Sequence, residues 1–188
     1  MMATPTKLLT AEEFICLPEP PEGGKMELVH GEIVTMAPVG GEHGDVAGEI
    51  RDHLSRFARD HGVGRAGVEV GYLLKRKPDL VRAPDVSFTH ASRLKDGRFP
   101  DTYVEGPPTL AVEVVSPNDH DDDVATKVEE YLAAGTERVW VVRPKVRTIT
   151  VHRPDGNAHT YRSGDTLGSD DAGFSVEGFE LLADDVFA

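Results

Sequence analysis

Residues 109–116, TLAVEVVS, are apolar almost without a break, the pattern of a strand covered on both faces rather than one alternating between core and water. A second such run, RVWVVR at 138–143, follows a helical stretch of roughly 121–134 that closes at Gly135. Two buried strands joined through a helix need a crossover connection, so the pair lies parallel in one sheet with the helix across its face. This passage constrains the chain more than any other feature. It demands an α/β architecture.

The preceding segments supply the rest of the layer. The spacing of Val46, Ile50, Leu54 and Phe57, with Ala47 and Ala58 beside them, predicts an amphipathic helix over 45–62 that stops at Gly62. Residues 68–75 and 83–88 read as strands, and 91–108 as a long loop. The core order is therefore helix–strand–strand–strand–helix–strand, a mixed sheet flanked by helices. Ahead of it, Thr10 with Glu13 marks the start of a short helix over 10–17, ended by Pro18, Pro20 and Pro21. Residues 26–36 read as a hairpin turning at His30-Gly31, with a loop at 38–43. After the core, Pro154-Asp155-Gly156 turns another hairpin, a C-terminal β extension. The 188 residues fit one domain, taken as 1–188.

Composition narrows the setting. An apolar fraction of 39% and a charged fraction of 28% are those of an ordinary globular chain. Cys16 is the only cysteine, so no internal disulfide or thiolate metal cluster forms, and a reducing compartment is the natural setting. The first residues lack the charged-then-apolar pattern of a signal peptide, and no run reaches the ~18 apolar residues of a membrane helix. A cytoplasmic location is expected, with no membrane partner. The formal charge of −13 opposes broad affinity for phosphates, so any grip on nucleic acid must be local, metal-assisted or partner-assisted.

Within this background two carboxylates stand out. Glu113 interrupts the apolar run, and Asp85 follows Pro84 in a short strand. A buried carboxylate without a partner costs several kcal/mol, so each needs a cation, a hydrogen bond or a raised pKa. On adjacent strands and one face, the two would form a hard-oxygen site for Mg²⁺ or Mn²⁺, with the Val114 backbone carbonyl as a further ligand. A phosphodiester suits such an ion, which neutralises phosphate charge and lowers the pKa of a bound water. Lys127 shares a helix face with Asp123 and Tyr131 by i, i+4, i+8 spacing and could stand over the carboxylates to assist water attack. Glu27, on the N-terminal hairpin, is a fourth catalytic or metal-binding candidate. Substrate contacts are expected from His43 and from a basic rim of Lys75, Arg76, Lys77 and Arg82, with Arg93, Lys95 and Arg98 beyond Asp85.

At this point the residues resemble a known group. In order, Glu27-Leu28-Val29-His30-Gly31-Glu32, His43, Pro84-Asp85-Val86-Ser87, Val112-Glu113-Val114-Val115-Ser116-Pro117, Asp123 with Lys127, Tyr131 with Gly135, and Trp140-Val141-Val142 resemble the Uma-type (Uma-two) restriction-endonuclease family. That family is a branch of the PD-(D/E)-x-K nuclease superfamily, and the resemblance spans about residues 10–185. It implies the restriction-endonuclease-like fold, a divalent metal and a DNA substrate. Two positions depart from the pattern. Val115 stands where the superfamily places its lysine, a role carried over to Lys127, and Arg143 stands where the strand otherwise ends Trp-x-x-Asp-Pro.

The bland reading of each residue stays beside the functional one. Asp85 could be a strand-end aspartate, Lys127 an exposed partner of Asp123, Glu27 or Glu32 a hairpin surface residue, and His43 a solvated loop residue. The aspartates at 119 and 121–123 favour a helix N-terminus. Trp140 reads as core, and Ser116-Pro117 as a helix-entry turn. Three functions remain open: a metal-dependent endonuclease on DNA, a non-catalytic binding or assembly protein on the same scaffold, and a metal-dependent hydrolase of RNA or nucleotides. A homodimer would suit cleavage of both strands of a duplex.

Overall fold

The computed structural model describes residues 7–117 and 119–188, so residues 1–6 of the leader reading lie outside it. In chain order, helix α1 spans Ala11–Phe14, β1 Lys25–Val29, β2 Glu32–Met36, α2 Gly41–His61 and β3 Gly64–Val68. Then come β4 Tyr72–Lys75, β5 Leu80–Arg82, β6 Val86–His90, β7 Val104–Glu105 and β8 Leu110–Val114. Helix α3 spans Asp121–Ala134, followed by β9 Arg138–Arg143, β10 Thr148–His152, β11 Ala158–Tyr161, β12 Thr166–Gly168, α4 Ser169–Ala172 and β13 Glu180–Leu182.

The central sheet runs β11-β10-β9-β8-β6-β3, with β8 and β9 parallel and their other neighbours antiparallel. Helix α3 makes the crossover that the two apolar runs require. Alternation along the strands sorts the two faces. Val112, Val114, Trp140 and Val142 join Val86 and Phe88 against α2, through its buried Val46, Ile50 and Leu54. Ala111, Val139 and Val141 face the other way, against Val124, Val128 and Tyr131 of α3. Residues Leu167 to Val186, unassigned by sequence patterning, form the β12–β13 pair and bury Leu167, Phe174, Phe179 and Leu181 in the α2-side core.

A second sheet, β2-β1-β5-β4-β7, has one face on α1, where Leu28, Leu73 and Val81 meet Ala11 and Phe14. From its other face, Leu74 packs on the α3-side core, and the Tyr72 hydroxyl reaches Ser87 Oγ at 2.9 Å and Thr89 Oγ1 at 2.7 Å on β6. The chain opens this sheet with a two-residue hairpin whose central residues, His30 and Gly31, have φ of 52° and 84°, the paired positive values of a type I′ turn.

Two expectations need correction. Residues 68–75 are not one strand: Glu69 takes a φ of 50°, so the chain leaves the central sheet after β3 and re-enters the second sheet as β4. Val68, Val70, Tyr72, Leu73 and Leu74 read together as one strand although Val68 is 51% exposed, and that β-rich composition hides the corner from a periodicity reading. Residues 38–43 are not all loop either, since α2 begins at Gly41 and places His43 in its first turn.

Candidate active site

The β6–β8 register pairs Val86 with Val112 and Ser87 with Ala111. One step further along the same ladder, Asp85 stands opposite Glu113, at alternate positions to the residues that face α2. Both are buried, at 5% residual exposure each. The register thus brings the two acids of the sequence together at one end of the central sheet, beneath the second sheet and α3.

Each carboxylate is held by named partners. Asp85 Oδ2 accepts from the Val114 N–H at 2.8 Å and lies 3.1 Å from His43 Nε2, while Oδ1 accepts from Lys25 Nζ at 2.8 Å. Glu113 Oε2 accepts from Lys127 Nζ at 2.8 Å and Oε1 from the Tyr131 hydroxyl at 2.9 Å. Lys127 and Tyr131, one turn apart on α3, clamp Glu113 from above the sheet. Val115, in place of the superfamily lysine, packs against the α3-side core, so the ammonium reaches the same carboxylate from the helix instead of the strand.

Glu27 lies apart in its bonding. The β1–β5 register pairs Leu28 with Val81, which sets Glu27 opposite Arg82, a direct cross-strand pair. Its Oε2 accepts from Arg82 Nη1 at 2.7 Å and its Oε1 from the Ala83 N–H at 2.9 Å, with no exposure to solvent. Arg82 also meets Glu130 Oε2 of α3 at 2.6–2.7 Å. Both Glu27 oxygens are thus bonded within the protein, as are those of Asp85 and Glu113, but its partners belong to a separate pair of strands. The expectation that Arg82 contacts substrate is corrected, since the side chain is buried between two glutamates.

Among the described residues, no side chain of the expected basic rim bonds to Asp85 or Glu113. Lys75 and Lys77 sit at the β4–β5 turn, five extended residues from Asp85 along β5, about 17 Å at ~3.3 Å per residue. Arg93, Lys95 and Arg98 follow the far end of β6, and Arg93 donates to the carbonyls of Glu105 and Pro107. His43, expected as a loop contact, instead orients Asp85. Arg143, in place of the family acid, ends β9 and donates to Asp121 Oδ1 at 2.8 Å in the first turn of α3.

Sequence reasoning missed Lys25. It lies two residues before Glu27 on β1, and a period of two puts both on one face, which was the available signal. Glu130 was likewise missed, because its partner Arg82 lies 48 residues away.

The electrostatics follow from this packing. Burial pushes the Asp85 carboxyl up, but the His43 hydrogen bond and the Lys25 charge outweigh it and hold the group well below the usual carboxylate range. Burial also pushes Glu113 up, with the Asp85 charge adding to it against the pull of Lys127. For Lys25 and Lys127 burial acts downward, yet the surrounding carboxylates keep both above the ordinary lysine value. Burial first, then the Glu113 charge, raises Tyr131, so its hydroxyl stays a donor.

Among the described residues no three His, Cys, Asp or Glu side chains group as a metal site. What the end of the sheet does offer is a hard-oxygen cradle. Asp85 Oδ1 and the Ala83 carbonyl together hold one cation, Lys25 Nζ, at 2.8 and 2.9 Å, with Glu113 opposite. Oxygen donors of this kind fit Mg²⁺ or Mn²⁺.

Comparison with known proteins agrees with the fold. A protein of Anabaena variabilis ATCC 29413, described as "a putative nuclease belonging to DUF820", superposes with a TM-score of 0.78 at 22% identity, covering 95% of this chain and 97% of that one. No curated protein matches the chain. No helix among the described residues is long and apolar enough to cross a membrane. A family model matches residues 11–183, a span that includes both carboxylates, both lysines and every strand of the central sheet, and on that match the chain belongs to the Uma2 family, "Putative restriction endonuclease".

Proposed function

We propose that the chain is a metal-dependent endonuclease that hydrolyses phosphodiester bonds in DNA at the Asp85–Glu113 centre. The observation that carries this reading is the juxtaposition of the two buried carboxylates across β6 and β8, with the Lys127 ammonium 2.8 Å from Glu113 Oε2. Asp85 and Glu113, with the Ala83 and Val114 carbonyls, would hold Mg²⁺ or Mn²⁺. When bound, the ion supplies charge neutralisation at phosphate and a more acidic water. The Val114 N–H and His43 fix the Asp85 carboxylate so that its remaining lone pairs face one direction. Tyr131 does the same for Glu113. Lys127 places a positive charge at the edge of the centre, where it orients the attacking water and offsets charge that develops on phosphorus-bound oxygen. Glu27 and Arg82 hold the Ala83–Asp85 segment in place rather than touching substrate.

The test is cleavage of plasmid and linear DNA by purified protein with Mn²⁺. Wild type is expected to nick or linearise the plasmid, and Glu113→Ala to do neither. Lys127→Met is expected to lose about 10²–10³-fold in rate, the range for removing one preorganised charge-stabilising donor. Equal cleavage by wild type and Glu113→Ala would assign the activity to a contaminant and reject the reading. A second reading, a non-catalytic scaffold, draws on the fact that every carboxylate of the centre has a cationic partner within the chain. Thermal shift separates the two. At 100 times its dissociation constant a bound ion stabilises the fold by about 2.7 kcal/mol, and no shift at millimolar Mn²⁺ would favour the scaffold.

A further inference from the structure

Three cations, Lys25, Lys127 and Arg82, pair with the carboxylates in and beside the centre, and they are not equivalent. Arg82 is fixed: it is buried, and its guanidinium binds Glu27 and Glu130 together. Lys127 reaches Glu113 alone, over the face of the sheet from α3. Lys25 is different again. It is the first residue of β1, its side chain keeps 15% exposure, and its ammonium lies in the oxygen cradle formed by Asp85 Oδ1 and the Ala83 carbonyl. Asp85 would not be stranded without it, because Oδ2 keeps the Val114 N–H and His43. Departure of Lys25 therefore frees one carboxylate oxygen and one carbonyl oxygen while the carboxylate stays in position. A divalent ion and an ammonium cannot share that cradle without strong like-charge repulsion.

We propose that Lys25 is a resident counter-cation of the centre, occupying the cradle of Asp85 Oδ1 and Ala83 O in the metal-free protein and yielding it when a divalent ion binds. The inference rests on the metal reading above and adds a positioning role for a residue outside the family motif quoted earlier. In metal-free protein the lysine offsets the Asp85 charge, and the ion must compete with that lysine. Lysine suits the exchange, because its charge sits on a flexible four-carbon stem.

Calorimetric titration of Mn²⁺ into full-length wild type, Lys25→Met, Lys25→Arg and the distant Lys77→Met tests this. Lys25→Met is expected to bind Mn²⁺ at least about tenfold more tightly, within the 10–100-fold span by which neighbours of a metal site alter affinity. It should also melt lower than wild type without metal and gain more from Mn²⁺. Lys25→Arg, which keeps the charge, should bind no tighter than wild type, and Lys77→Met should match it. A readout on the wild type itself covers a Lys25→Met chain that fails to fold. The ¹⁵Nζ resonance of Lys25, assigned by its loss in Lys25→Arg, should shift on saturation with diamagnetic Mg²⁺. Equal or weaker Mn²⁺ binding by folded Lys25→Met, or an unmoved resonance in Mg²⁺-saturated wild type, would overturn the exchange and leave the metal site standing. No binding by any of the four proteins would overturn both.

Discussion

Arg82 shows how much of the site is held by single side chains. It is buried with Glu27 on one side and Glu130 on the other, and a buried ion pair is costly to break because the remaining charge has no partner. Arg82→Met is expected to destabilise the protein by about 3–5 kcal/mol, read by urea denaturation. Adding Glu27→Gln to that variant should restore part of the loss, since one of the two stranded charges is then gone. A double variant no more stable than Arg82→Met alone would show that the cost comes from packing. At this scale the sequence announced Glu113, because a carboxylate inside an apolar strand has few structural excuses. It did not announce that Glu27 and Arg82 serve each other. That pairing depends on the β1–β5 register, and register across 55 residues is not written in local composition.

Elements position these residues through a few ties. Asp79 joins α1 to the β4–β5 turn, accepting from the Ala11 N–H at 2.8 Å and the Lys77 N–H at 3.1 Å, while the His30–Gly31 turn docks on its backbone through the Gly31 N–H. Burial pushes the Asp79 carboxyl up, but those N–H groups and Arg76 outweigh it and keep the group below its ordinary value. The unfolded chain then takes up this proton near pH ~4, before the folded protein does. Stability from Asp79 is complete at neutral pH and is lost as pH falls below ~4 through the lower folded value. Urea denaturation at pH 7 and pH 3 should show a smaller acid loss for Asp79→Asn than for wild type, and an equal loss would contradict the tie. Gly31 has a φ of 84°, and a Cβ there would lie 2.7 Å from Leu8 Cβ, so Gly31→Ala should cost at least about 1 kcal/mol. Three capped helices were legible in the sequence, as were the two hairpins, since Thr10, Gly62, Gly135, His30-Gly31 and Pro154-Asp155-Gly156 act locally. The corner at Glu69–Gly71 was not, because one β-rich stretch serves two sheets.

For the whole molecule the formal charge of −13 and the placement of the basic residues point the same way. The clusters at 75–77 and 93–98 lie beyond the strand ends remote from Asp85, so they are poorly placed to grip a substrate there. Charge reversal of Lys75, Lys77, Lys95 and Arg98 together is expected to leave DNA affinity with Mn²⁺, and its slope against salt, close to wild type. A slope reduced by several counterions would show that the rim engages DNA after all. Under the proposed function, affinity comes mainly through the centre itself, so the decisive question is whether Asp85 and Glu113 share an ion. Crystals soaked in Mn²⁺ and measured for anomalous scattering answer that directly. Under the proposed function, one peak is expected between the Asp85 and Glu113 carboxylates, with the Lys25 ammonium moved out of the Asp85–Ala83 cradle. A Mn²⁺ peak elsewhere, or none at saturating millimolar metal with both lysines still in place, would contradict it.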